Sequence, residues 1–217
     1  NFSSKIKNKT LPIAIEDLTE ADPIETKPGI SSYVDDPNGA GESILTLLKQ
    51  LKDSPCDQPL KDIPVYLNAT AGMRLVPEEQ QDNIYEAIKN SLSSSYNWKA
   101  GSIETIHGWQ EGLFDWLSLN YENIKSSKAT SGALDLGGAS TQLAFDTKNI
   151  PASDLTPKTK DDKKVVKLKL NNKKYKIFSI SFLGLGQDQA RENILKTTPD
   201  SFYYCYPKGT PIPVSSD

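Results

Sequence analysis

Residues 133–145, Ala-Leu-Asp-Leu-Gly-Gly-Ala-Ser-Thr-Gln-Leu-Ala-Phe, hold the densest group of side chains able to do chemistry. Asp135 stands in an apolar strand pattern just before Gly137 and Gly138. A carboxylate drawn into such a strand is costly unless positive charge accompanies it. Two glycines let backbone N–H groups turn outward and close on anionic oxygens, which is one way a chain cradles phosphate. Ser140, Thr141 and Gln142 add neutral donors and acceptors within one turn. Asp135 is then placed to hold a hydrated divalent ion against the phosphates. Without a ligand, the same residues read as a plain hairpin with a Gly-Gly turn and a solvent-facing Asp.

Two further stretches carry candidate chemistry. In Leu67–Val76 (LNATAGMRLV) a strand runs into small residues, leaving room for a ligand at its carboxyl end. Thr70 offers a hydroxyl there, and Arg74 a guanidinium that serves a ligand or a structural carboxylate; Met73 reads as core. In Gly108–Tyr121 (GWQEGLFDWLSLNY), Glu111 precedes a glycine and opens an amphipathic helix. A first-turn acid there stabilises the helix dipole. Presented into a cleft, it can instead take a proton from water. Trp116, Asn120 and Tyr121 read as packing and hydrogen-bonding supports, Asp115 as facing solvent, and His107 as a polar surface or supporting residue.

These residues need strands and helices to position them. Pro64–Ala69 reads as a short buried strand, and Pro77 with Glu78 and Glu79 as a helix start whose buried face is Ile84, Ile88 and Leu92. A helix is predicted from Glu111 to Asn123 and an earlier one from Glu42 to Lys52, after a turn-rich loop at 28–41. Ala133–Leu136 and Thr141–Phe145 form strand, tight turn, strand, the turn demanding residues without a Cβ. Val165–Leu170 and Tyr175–Phe182 form a second hairpin across Asn171-Asn172, a left-handed turn pair. A short helix follows from Gln187 to Lys196, and Thr10–Leu18 reads as an edge strand. Residues 151–162 read as a linker or hairpin tip.

Composition narrows the function classes. The net charge of −3 disfavours a protein that coats nucleic acid. Nine of the 25 basic residues fall between Lys158 and Lys176. There Lys167 and Lys169 alternate with apolar neighbours, the pattern of a solvated strand face. No run approaches a membrane span. One histidine and two cysteines exclude a His-rich metal centre, a disulfide framework and a four-ligand zinc site. Nothing in their spacing says that Cys56 and Cys205, 149 positions apart, pair with each other or with residues elsewhere. Three Asn-x-Ser/Thr sequons, at Asn1, Asn8 and Asn68, permit glycosylation in a secretory setting.

In order and spacing, residues 69–74 (ATAGMR), 111–121 (EGLFDWLSLNY) and 135–142 (DLGGASTQ) resemble the second, third and fourth conserved regions of the ectonucleoside triphosphate diphosphohydrolases, the apyrases. Residues 27–44 and SFLGLGQ at 181–187 look familial too. The resemblance implies an α/β, actin-like (ribonuclease-H-like) two-lobe fold, with mixed sheets flanked by helices around a nucleotide cleft. It implies hydrolysis of terminal phosphates of nucleoside di- and triphosphates with calcium or magnesium, in a secreted or lumenal protein. Glu111 is then the base that activates water, and Ser140 and Gln142 hold that water. Gly137, Gly138, Ala139 and Ser140 bind phosphate, and Asp135 and Thr70 reach the metal through water. Arg74, Trp116, Asn120 and Tyr121 support the site.

The family's first conserved region, an Asp-Ala-Gly-Ser type of phosphate loop, and its fifth have no match in these residues. The expectation is a segment of a longer enzyme that needs the missing segments of its own protein. Residues 1–130 would be a first lobe without its opening hairpin and 131–217 the start of a second, with the boundary near 125–133. A kinase or polyphosphatase of the same superfamily, or a non-catalytic actin-like nucleotide-binding module, are the competing readings.

Overall fold

A computed structural model describes residues 24–50, 64–96, 99–148, 150–151 and 162–197. The expected strand at 10–18, both cysteines, the sequons at Asn1 and Asn8 and most of the 151–162 linker lie outside the described residues. One compact unit runs to Ile106 and another begins at His107. The division therefore falls well before the expected 125–133. The helix carrying Glu111 packs on the sheet that follows it, so it belongs to the later unit.

In the earlier unit, a single 3-10 turn at Ile30–Tyr33 leads into α1 (Pro37–Gln50). The helix begins at Pro37 rather than at Glu42 because Asp36 and Pro37 form a strong start. Gly39 N–H donates to Asp36 Oδ1 at 3.2 Å, and proline suits the first helical position. Strand β1 (Pro64–Ala69) pairs in parallel with β2 (Lys99–Thr105). The connection holds the short α2 (Ala71–Arg74) and the long α3 (Glu78–Tyr96). Pro77 O accepts the N–H groups of Gln80 and Gln81 at 3.0 Å, opening α3 where the sequence marks it. Ile84, Ile88 and Leu92 are wholly buried with Met73, Leu45 and Ile103.

The later unit is a helix on an antiparallel sheet. Helix α4 (Gly108–Leu119) and the short α5 (Tyr121–Lys125) precede β3 (Ala133–Leu136), β4 (Ser140–Asp146), β5 (Asp162–Leu170), β6 (Lys173–Leu183) and α6 (Gln187–Thr197). The strands lie in the order β3-β4-β6-β5. The predicted helix over 111–123 is thus two, broken at Asn120. That residue is fully buried, and its side chain bonds both into the helix, Nδ2 donating to Trp116 O at 2.9 Å, and beyond it. Its Nδ2 donates to Ser131 O at 3.0 Å and its Oδ1 accepts from Ser131 N–H at 2.8 Å, tying the end of α4 to the entry of β3.

The β5–β6 turn has Asn171 at φ 45° and Asn172 at φ 62°, the left-handed pair that a two-residue hairpin favours. Alternation on β5 buries Val166, Leu168 and Leu170 and leaves Lys167 and Lys169 exposed. The buried side packs with Tyr175, Ile177, Leu113 and Trp116. Trp116 and Tyr175 meet edge to face, with ring centroids 5.6 Å apart. Among the described residues, no helix is long and apolar enough to cross a membrane.

Candidate active site

Strand register builds the site. Asp135 on β3 lies opposite Gln142 on β4, and Gln142 lies opposite Ser181 on β6. Side chains alternate faces along a strand, so these three share one row on one side of the sheet. Helix α4 crosses that side and carries Glu111 to the row. Gln142 Nε2 donates to Glu111 Oε2 at 2.9 Å and to Ser181 Oγ at 3.0 Å, and it also reaches Ser140 Oγ. Gln142 is 1% exposed, and its Oε1 is buried without a donor.

The approach of helix to sheet depends on Gly112, directly after Glu111. A Cβ there would stand 2.6 Å from Ser179 Oγ and 3.2 Å from Gln142 Cβ. A larger residue would have to turn Ser179 Oγ aside and press on Gln142, so glycine is what lets α4 lie this close.

Asp115, one turn after Glu111, is half-buried rather than solvent-facing, with Oδ2 buried and unpartnered. Burial, reinforced by the charges of Asp135 and Glu111, pushes its carboxyl up from 3.8 to about 6. A third acid therefore stands beside the two the sequence singles out. The sequence offered no signal for it, because spacing along one helix does not show which acidic groups the sheet brings close to Asp115.

The Gly137–Ala139 loop is braced from behind by the start of α6. Gly137 O accepts from Gln187 N–H at 2.9 Å, Gly138 O from Asp188 N–H at 2.9 Å and Gln189 N–H at 3.1 Å, and Ala139 O from Gly184 N–H at 2.8 Å. With the carbonyls held on that side, no acceptor among the described residues takes the N–H of Gly138 or Ala139. Gly137 differs: its N–H is turned inward and donates to Ser140 O at 3.0 Å. Only Gly138 and Ala139 of that trio present free amides.

Neither Gly137 nor Gly138 has positive φ, so turn conformation is not what requires glycine here. At Gly138 a Cβ would stand 2.6 Å from Asp188 Oδ2, the tip of an exposed side chain that can turn away; close approach demands glycine at Gly186, where a Cβ would run into the backbone of Gly138 and Ser140. Gly186 lies in the SFLGLGQ stretch, which the sequence marked without giving it a task.

Thr70 and Arg74 belong to the earlier unit. Thr70 is half-buried at the end of β1, before α2, and its carbonyl accepts from Arg74 N–H at 3.1 Å. The structure thus groups Glu111, Asp135, Ser140 and Gln142 in one unit, and Thr70 with Arg74 in the other. Trp116 is core and Asn120 a tie, while half-buried Tyr121 opens α5. His107 is exposed and precedes α4, its N–H donating to Gln110 Oε1 at 2.9 Å.

The carboxylates of Asp135 and Asp115 offer oxygen, the donor that calcium or magnesium takes in preference to a soft metal. Among the described residues no group of three His, Cys, Asp or Glu side chains is set to chelate an ion.

The model of the GDA1/CD39 (nucleoside phosphatase) family matches residues 2–201. Ectonucleoside triphosphate diphosphohydrolase 2 of Mus musculus is 37% identical over 199 residues, covering 83% of this chain and 38% of that protein. The nucleoside-triphosphatase of Pisum sativum is 35% identical over 181 residues, 80% of this chain and 40% of its own length. Apyrase 1 of Arabidopsis thaliana is 32% identical over 195 residues, 86% and 41%. The chain spans about two fifths of the length of these curated relatives. With its match running through nearly the whole sequence, the chain belongs to the GDA1/CD39 (nucleoside phosphatase) family.

Proposed function

We propose that the protein hydrolyses the terminal phosphates of nucleoside tri- and diphosphates by direct attack of water, with Glu111 as the base. The reading is carried by Gln142 Oε1, a buried acceptor without a donor, on a carboxamide whose nitrogen is bonded to Glu111. Leaving such an acceptor empty costs about 1–3 kcal/mol, and a water hydrogen fills it. Water held by Gln142 and Ser140 gives one proton to Glu111 as its oxygen bonds to phosphorus and the nucleotide leaves. The free amides of Gly138 and Ala139 face the phosphate oxygens, where preorganised donors stabilise transferring charge. A calcium or magnesium ion, held through water by Asp135, would screen phosphate charge when bound.

Each unit is mixed α/β, and for the whole protein we take the actin-like fold that the family resemblance implies. The names of the relatives support the substrate class: a triphosphate diphosphohydrolase, a nucleoside-triphosphatase and an apyrase. The test is phosphate release by the purified full-length protein, given ATP or ADP with magnesium or calcium. Conversion of both to AMP is expected. Binding without release of phosphate from either would overturn the reading.

A further inference from the structure

We propose that Ser181 is a positioning residue: it holds the Gln142 carboxamide in the orientation that lets Gln142 serve Glu111 and the attacking water. The inference rests on the water-activation reading above and adds a residue from a distant strand to it.

The Gln142 amide nitrogen has two hydrogens and three acceptors around it: Glu111 Oε2, Ser140 Oγ and Ser181 Oγ. Turning the amide over would set Oε1 2.9 Å from Glu111 Oε2, two acceptors facing each other. That is unfavourable while Glu111 is ionised, so its charge selects one orientation. Glu111 loses that charge when it takes the proton, and the amide is then held only by the serines. Ser140 is two residues away on the same strand, at the edge of the phosphate loop. Ser181 is 3% exposed on β6, in direct register with Gln142, and is fixed by the pairing of the two strands. It is the anchor that a change of charge on Glu111 or movement of the loop leaves in place. Without it the carboxamide can swing, moving Nε2 from Glu111 and Oε1 from the water.

The test is made in the full-length protein. Ser181→Ala should lower kcat for ATP roughly tenfold, as small misplacement of a reacting water does, with KM within about twofold. On a Gln142→Ala background the same change should alter kcat less than about twofold, because the residue through which Ser181 acts is gone. Ser181→Cys, with similar shape and a weaker acceptor, should fall between. A kcat for Ser181→Ala within twofold of the unaltered enzyme overturns the proposal. So does an equal tenfold loss on the Gln142→Ala background. Crystal structures of the Glu111→Gln protein with and without Ser181→Ala give an answer independent of turnover: with no charge at position 111, the Gln142 carboxamide should move when Ser181 is replaced, and an unmoved carboxamide contradicts the proposal. Glu111→Gln run in parallel separates the two claims. If that variant keeps its turnover, the water-activation reading fails, and the crystal structures alone decide the role of Ser181.

Discussion

The side of the sheet beneath α4 is built in two contrasting halves. Under Leu113 and Trp116 it is nearly all hydrocarbon and ring: Val166, Leu168, Tyr175 and Ile177, each almost wholly buried. Side chains of this size contribute about 1.5–3 kcal/mol each when removed from water. Around Gly112 the same face carries Gln142, Ser179 and Ser181, with Asp135 in the row and Asp115 close to it. That half leaves Gln142 Oε1, Ser179 Oγ and Asp115 Oδ2 buried without partners; the apolar half leaves Trp116 Nε1 and the Tyr175 hydroxyl so, but sets a large buried apolar area against them. The first half lowers the free energy of the fold far more than the second. A single helix spans both, so the apolar half can hold Glu111 over polar groups that would not stay buried on their own.

Deletion in the apolar half should have the larger effect on stability and little on chemistry. Leu113→Ala should cost about 2–5 kcal/mol of unfolding free energy, the usual range for a fully buried leucine. Denaturant unfolding measures it, and kcat of the folded protein should stay within about twofold. A proportional fall in kcat would mean that the two halves do not act separately.

The polar half should show the opposite sign, with a smaller effect. Asp115 has its folded pKa raised to about 6, so the folded state binds an extra proton between about pH 4 and pH 6. The unaltered protein therefore loses stability as pH rises through that window. Asparagine does not titrate, so Asp115→Asn should match it near pH 4 and melt about 2–4 °C higher at pH 8. Thermal melts of both proteins in chelator make the comparison. A gap that does not change with pH would remove the buried charge from the account.

What the sequence made legible was local. Alternation on β5, the Asn171-Asn172 turn, the buried stripe of α3 and β1 with its Pro64–Ala69 limits all depend on neighbours within a few residues. Strand β2 is absent from the pattern reading because Lys-Ala-Gly-Ser-Ile-Glu-Thr has little apolar periodicity, and its place comes from pairing with β1. The same limit applies at the site. Glu111, Asp135, Ser140 and Gln142 stand in motifs that mark themselves, and they fall in one unit. Ser181 lies 39 residues beyond Gln142 and meets it only through strand register. The tasks of Gly112 and Gly186 likewise depend on what packs against them, which spacing along the chain does not encode.

The central claim is that α4 delivers Glu111 as the base for water held by Gln142, and Glu111→Gln in the full-length protein tests it most directly. Turnover of ATP and nucleotide affinity should be measured on the same preparation. The account predicts a kcat lower by about 10²–10⁴, the usual worth of general-base catalysis, with affinity within about threefold. A variant that retains more than half of the original turnover would contradict it.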